Sequence, residues 1–122
     1  MKPSGAASGV VDFDALPADE PFPGVLRATV TIEGATLTRY SFEPGASFPL
    51  HSHPQEQITV VEEGSVEMTI DGAAHALEPG AWTIVAGGLQ HGILAGGGGA
   101  RIVAIIAPRR ERPDEISLAG RR

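Results

Sequence analysis

The 122-residue chain has no cysteine, which excludes disulfides, thiolate metal ligands and thiol-based redox chemistry. Long apolar runs are also missing. The N-terminal stretch "MKPSGAASGVVDFDALPADE" has none longer than Val10-Val11, so neither a signal peptide nor a membrane span is expected, and the cytoplasm is the expected compartment. Basic residues are scarce in the body of the chain. Residues 1–108 hold four of them against twelve acids, a net of −8 within an overall −6. Binding to nucleic acid requires clustered Lys and Arg against the phosphates, so no nucleic-acid partner is expected. Five of the nine basic residues (Arg109, Arg110, Arg112, Arg121, Arg122) follow Pro108 beside three acids. Such a terminal run reads first as a solvated segment and only second as an anion contact. Helical periodicity, internal repeats and coiled-coil heptads are absent before Pro113, and no helix-turn-helix segment precedes the body.

Short alternating runs punctuated by Gly and Pro are abundant. Residues 1–23 read as an arm, ordered only by docking onto the body or a partner subunit. From Val25 the period becomes two. "LRATVTI" ends at Glu33-Gly34; "TLTRYSF" places Thr38, Tyr40 and Phe42 on one face and Leu37, Arg39 and Ser41 on the other. "EQITVVEEG" and "SVEMTI" follow, with Asp71-Gly72 as a hairpin signal, then "AAHALEPG", "AWTIVAGG", "QHGILA" and "RIVAIIA". Eight or nine such strands predict an all-β antiparallel sandwich or barrel over residues 24–108, with a charged tail over 109–122. "PDEISLAG" in that tail fits one short helix, with Pro in its first turn and Gly after its end. The "GGGG" of Gly96–Gly99 reads as a flexible loop; it lacks the Lys-Ser/Thr and following helix of a phosphate cradle.

Within "HSHPQEQITVVEEG", His51 and His53 are two apart on an extended segment and aim two imidazoles into one space. Gln57 continues that parity if Pro54 does not break it, whereas Glu56 should face away. His91, after the Gly-rich turn in "GGLQHGI", is the natural third imidazole. Taken alone, a His-x-His pair is as often a polar surface or hydrogen-bonded pair as a metal site.

The stretch "GASFPLHSHPQEQITVVEEG" resembles the first motif of the cupin superfamily: Gly45, five residues, His51-x-His53, three residues, the Gln57 position, six residues, Gly64. "GAWTIVAGGLQH", from Gly80 to His91, resembles the second. This chain has Gln57 where the family usually has Glu, Ala86 where it usually has Pro, and Ala95 for the closing Asn. Spanning about residues 35–107, the resemblance implies an antiparallel double-stranded β-helix, or jelly roll, of the small single-domain cupin kind, commonly a homodimer. It places the metal ligands on His51, His53, Gln57 and His91; some cupins of similar sequence bind metal through Gln.

Such a set brings no negative charge and leaves a divalent transition ion (Zn, Ni, Fe, Mn or Cu) strongly electrophilic, suited to Lewis-acid work. The resemblance takes in Gln-containing cupins of uronate breakdown and aromatic polyketide cyclisation. The favoured expectation is therefore a metal-dependent isomerase, lyase or tautomerase acting on a small oxygen-rich molecule such as a sugar acid or keto compound. The rivals are a metal-dependent dioxygenase, with Glu56 or Glu43 closer than parity suggests, and a non-catalytic module binding a small ligand or metal. His75 is expected opposite Met68 as a satisfied barrel residue. Arg39 and Arg101 either face inward to anchor a carboxylate or lie on the surface. Phe48, Met68, Trp82 and Ile84 are expected in the core, one or two of them at a pocket mouth.

Overall fold

In the computed structural model, which describes residues 8–112 and 115–119, the alternating runs become nine strands: β1 (Asp19–Phe22), β2 (Val25–Thr31), β3 (Thr36–Phe42), β4 (Ser47–Ser52), β5 (Glu56–Ile70), β6 (Ala73–Leu77), β7 (Trp82–Val85), β8 (His91–Ala107) and β9 (Ser117–Leu118). A single 3-10 turn, Phe13–Ala15, is the only helical element among the described residues; the Asp12 side chain caps it by accepting from the Asp14 amide.

Two long strands, β5 and β8, run through both walls of the barrel. The first half of β5 pairs with β7 and with the end of β8, and the ladder continues to β3, β2 and β1. Its second half pairs with β6 and the start of β8, and that ladder continues to β4 and β9. All pairings are antiparallel, and two register shifts, between Val61/Glu63 and Gly64/Val66, mark where β5 crosses from one wall to the other. This is a curled all-β jelly roll.

At that corner Gly64 has φ 72°, and a Cβ on it would lie 2.0 Å from the Gly99 carbonyl oxygen. The chains approach too closely there for side chains. Gly96–Gly99, expected as a loop, is part of continuous strand β8; a Cβ at Gly96 would meet Ser65 Oγ at 2.5 Å and one at Gly99 the Phe42 carbonyl oxygen at 2.7 Å, whereas Gly97 and Gly98 have open space. The Asp71-Gly72 turn forms as expected, both residues having positive φ (49° and 83°), the requirement of a tight two-residue hairpin.

The expected C-terminal helix spans residues 113–120, of which 113, 114 and 120 lie outside the described residues. Residues 117–118 form β9 instead. An eight-residue helix is marginal on its own, whereas the free edge of β4 offers ladder bonds, including Ala119 N–H to the Leu50 carbonyl at 2.9 Å.

Inward faces carry Tyr40, Phe42, Phe48, Val61, Met68, Val85, Ile93 and Ile102, all buried in one cluster. Trp82 and Ile84, expected in the core, are 66% and 75% exposed. On β7 it is Thr83 and Val85 that face in, with the Thr83 hydroxyl 3.3 Å from Met68 Sδ. The strand is apolar at three of four positions, so composition could not choose its inner face. His75 does pair with Met68, but β6 is an edge strand and the ring is exposed rather than satisfied in the barrel.

Candidate metal centre

Two strand ends and the loop after β4 deliver the histidines. His51 closes β4 after a register shift that follows Phe48; His91 opens β8 directly opposite it, and His53 follows two residues after His51. All three are buried, with ring centroids 4.2 Å (His51–His91), 4.8 Å (His53–His91) and 5.7 Å (His51–His53) apart. One ring nitrogen from each lies within 4.8 Å of the others. Two loops are pinned together to achieve this. The Gly88 amide donates to the His53 carbonyl at 2.8 Å, and a Cβ on Gly87 would lie 2.2 Å from the Pro54 carbonyl oxygen.

Each imidazole is oriented by a backbone carbonyl two residues away in sequence: His51 Nδ1 to Pro49 at 2.8 Å, His53 Nδ1 to Gln55 at 3.0 Å and His91 Nδ1 to Leu89 at 3.0 Å. A carbonyl can only accept, so each Nδ1 carries the hydrogen and each Nε2 keeps its lone pair. Burial, with His91 close by, lowers the His51 pKa from 6.5 to about 3; burial lowers His91 to about 4, and burial and then the Arg110 charge lower His53. Neutral rings are what a metal requires.

Gln57, buried at the start of β5, donates its Nε2 hydrogen to Thr59 Oγ1 at 2.8 Å. Its Oε1 is thereby turned toward His53 Nε2, 3.0 Å away. Both atoms are acceptors while His53 is neutral, so two lone pairs face each other and are relieved only by a cation. His91 Nε2 is likewise buried without a hydrogen-bond partner. An orphaned imidazole nitrogen, two opposed lone pairs and three preset tautomers fit a divalent transition metal, as such donors do chemically. No carboxylate joins the cluster among the described residues; Glu43 and Glu56 are exposed.

The surroundings contain groups that sequence reasoning missed. Arg110, placed by its position in a presumed solvated tail, is 5% exposed; its amide donates to Thr36 Oγ1 at 2.8 Å and its charge lowers the pKa of all three histidines. Glu115 accepts from Gln55 Nε2 at 3.0 Å, and its charge acts in the opposite sense on His53. Nothing local in "PRRERPDEISLA" marks these two, because their partners, Thr36 and Gln55, are sixty or more residues away in sequence. Phe48 packs on His51 with centroids 4.5 Å apart and on Tyr40 at 5.5 Å, making an apolar floor. Arg39 lies on the outer face, paired with Asp14 and 5.7 Å from the Phe13 ring centroid; Arg101 pairs with Glu62 and Glu63. Neither reaches the centre.

Among the described residues no helix is long and apolar enough to cross a membrane. No curated protein sequence matches the chain. Solved structures match over nearly the whole of it. They include an RmlC-like cupin from Shewanella frigidimarina NCIMB 400 (TM-score 0.79, 21% identity, covering 86% of this chain and 95% of that one). KdgF from Halomonas sp. aligns with TM-score 0.80 and 22% identity over 86% of this chain and 97% of its own. The polyketide cyclase RemF from Streptomyces resistomycificus aligns with TM-score 0.77 and 22% identity over 95% and 88%. An oxalate decarboxylase from Bacillus subtilis aligns at TM-score 0.80 and 20% identity over 92% of this chain and 34% of its own. These likenesses establish the fold, and the family description "Cupin domain" matches residues 38–106. With that match spanning more than half of its length, the chain belongs to the cupin family.

Proposed function

We propose that His51, His53, Gln57 and His91 hold one divalent transition metal, and that the protein is a metal-dependent isomerase, lyase or tautomerase for a small, oxygen-rich anion such as a sugar acid or keto acid. The observation that carries this reading is the charge-free donor set: three imidazoles with Nδ1 committed to backbone carbonyls, and a carboxamide oxygen aimed among them by Thr59. A metal held without anionic ligands supplies Lewis acidity toward a carbonyl or hydroxyl oxygen of the substrate. The chain's own residues do the rest. Phe48 and Tyr40 keep one side apolar. Arg110 adds positive charge that favours an anionic substrate. Glu115, the carboxylate whose charge reaches His53, is the candidate proton carrier. A polyketide cyclase and an oxalate decarboxylase are among the similar structures, which supports an enzymatic reading.

The test has two stages. Metal analysis after loading with Zn, Ni, Mn or Fe should give one ion per chain, lost in His51→Ala. Loaded protein should then catalyse solvent deuterium exchange beside the carbonyl in a panel of keto acids and unsaturated uronates, without consuming oxygen. No stoichiometric ion would remove the metal centre. Stoichiometric metal with oxygen uptake in place of exchange would make the protein a dioxygenase, and a bound ligand recovered unchanged would make it a binding module.

A further inference from the structure

The charge inside this barrel is opposite in sign to the charge outside. Acids outnumber Lys and Arg fifteen to nine in the sequence, yet every described Asp and Glu is exposed except half-buried Glu115. With the histidines neutral, the buried charges among the described residues are two arginines, Arg27 and Arg110, each 5% exposed. A buried guanidinium is costly unless an anion meets it, and arginine is the residue that grips carboxylates at two points.

The two arginines serve opposite ends of one surface. Arg110 lies by the histidines, where its charge lowers the pKa of all three. Arg27 stands on β2 opposite Tyr40, in a row that continues through Ile102 to Val61. Those three belong to the core cluster, and residues directly paired across strands share a face, so Arg27 points inward. Tyr40 packs on Phe48 with centroids 5.5 Å apart, and Phe48 on His51 at 4.5 Å. The aromatic floor thus runs from the histidine cluster at one end to a buried guanidinium at the other.

Asp19 shows what Arg27 is shaped to hold. Its carboxylate accepts from Nε at 3.0 Å and from Nη2 at 2.6 Å, the two-point contact of a guanidinium with a carboxylate. Asp19 belongs to β1, the outermost strand of its wall, and is 60% exposed, so the pair sits at the boundary with water. A carboxylate from solution can take the same two hydrogens while Asp19 turns outward into solvent at little cost. Within the metal-dependent reading above, on which this rests, we propose that the substrate is a dianion, a keto or sugar diacid. One carboxylate is drawn to Arg110 beside the histidines, and the other replaces Asp19 on Arg27.

Calorimetry on the full chain loaded with Zn tests this with acids of matched length. α-Ketoglutarate and α-ketoadipate should each bind at least ~10-fold more tightly than α-ketovalerate and α-ketocaproate, their single-carboxylate counterparts. Arg27→Gln should bring each diacid down to its counterpart, leave the monoacids unchanged and keep one ion per chain. Arg27→Lys, a point charge without the paired hydrogens, should restore only part of the preference. Asp19→Asn, at an exposed site, should tighten the diacids ~3-fold or more and leave the monoacids alone, because a neutral amide competes less well for Arg27. A pair that merely fastens β1 would lower stability in both variants and leave the two kinds of acid equal. Equal binding in the wild type, no binding of either kind, or a preference that survives Arg27→Gln overturns the diacid. If Arg27→Gln does not fold, Asp19→Asn decides, and unchanged or weaker diacid binding overturns it. Stoichiometric metal without a diacid preference leaves the metal centre standing. A chain that takes up no ion removes that centre, and the same comparison on the metal-free protein then decides the diacid.

Discussion

A carboxamide has one end that accepts and one that donates, and which end faces the centre decides whether Gln57 can serve a cation. Thr59, fully buried two residues further along β5, settles it by accepting from Nε2 and leaving Oε1 toward His53. Thr59 is therefore a positioning residue for the proposed ligand. Thr59→Val keeps the shape and removes the acceptor, so the amide loses its preference and leaves a buried N–H unpaired. Metal affinity, measured by competition with a chelator, should fall ~10–100-fold, while Thr59→Ser should restore most of it. Equal affinities for the Val and Ser variants would mean that the hydroxyl does not orient Gln57. Gln57→Glu puts an anion among neutral donors and should tighten Mn binding at the cost of Lewis acidity. Arg110 shows the limit of residue-level reading. Its burial, with its amide bonded to Thr36 seventy-four residues earlier, has no local signature in the sequence.

Strands are where the sequence was most legible, because a period of two is a direct image of one buried and one exposed face. β3 alternates buried and half-buried along its whole length, as "TLTRYSF" predicts. The cupin spacing likewise picked out His51, His53, Gln57 and His91, whose side chains converge in space. Legibility failed where both faces are apolar, as on β7, and where close approach rather than side-chain pattern decides, as at Gly96 and Gly99. The corner at Gly64 gives that crowding a test. Its φ of 72° and the 2.0 Å approach to Gly99 leave no room for a methyl group, and the obstacle is backbone that cannot rotate away. Gly64→Ala should cost about 4 kcal/mol or more, or prevent folding, in urea titrations. Gly72→Ala, also at positive φ but with nothing within 4 Å, should cost only ~1 kcal/mol. Similar losses at the two sites would show that the corner is looser than its geometry.

For the whole molecule, three buried neutral imidazoles with no carboxylate in their cluster among the described residues make the metal-free fold sensitive to acid. Above pH 6.5 the rings of His51 and His91 are neutral in both folded and unfolded chains, so they contribute no pH dependence. As pH falls below 6.5 the unfolded chain takes up protons that the folded chain refuses until about pH 4 for His91 and about 3 for His51. Over that window the unfolded state binds more protons, so stability must rise with pH, by ~1.4 kcal/mol per pH unit for each such histidine. Asp19 adds its own loss only lower, because its hydrogen bond with Arg27 holds its pKa below the usual 3.8. The stability of the metal-free protein, measured by chemical denaturation, should therefore fall steeply as pH drops from 6.5 to 4.5. A flat profile there would mean that the rings are already solvated or protonated in the native state. A bound ion relieves the same opposed lone pairs, so at pH 7.5 and ~1,000 times its dissociation constant it should add ~4 kcal/mol, on the order of 10–20 °C in Tm. The His91→Ala chain should lose that metal-dependent increment and part of the acid slope together, since both arise from one buried, unpartnered nitrogen.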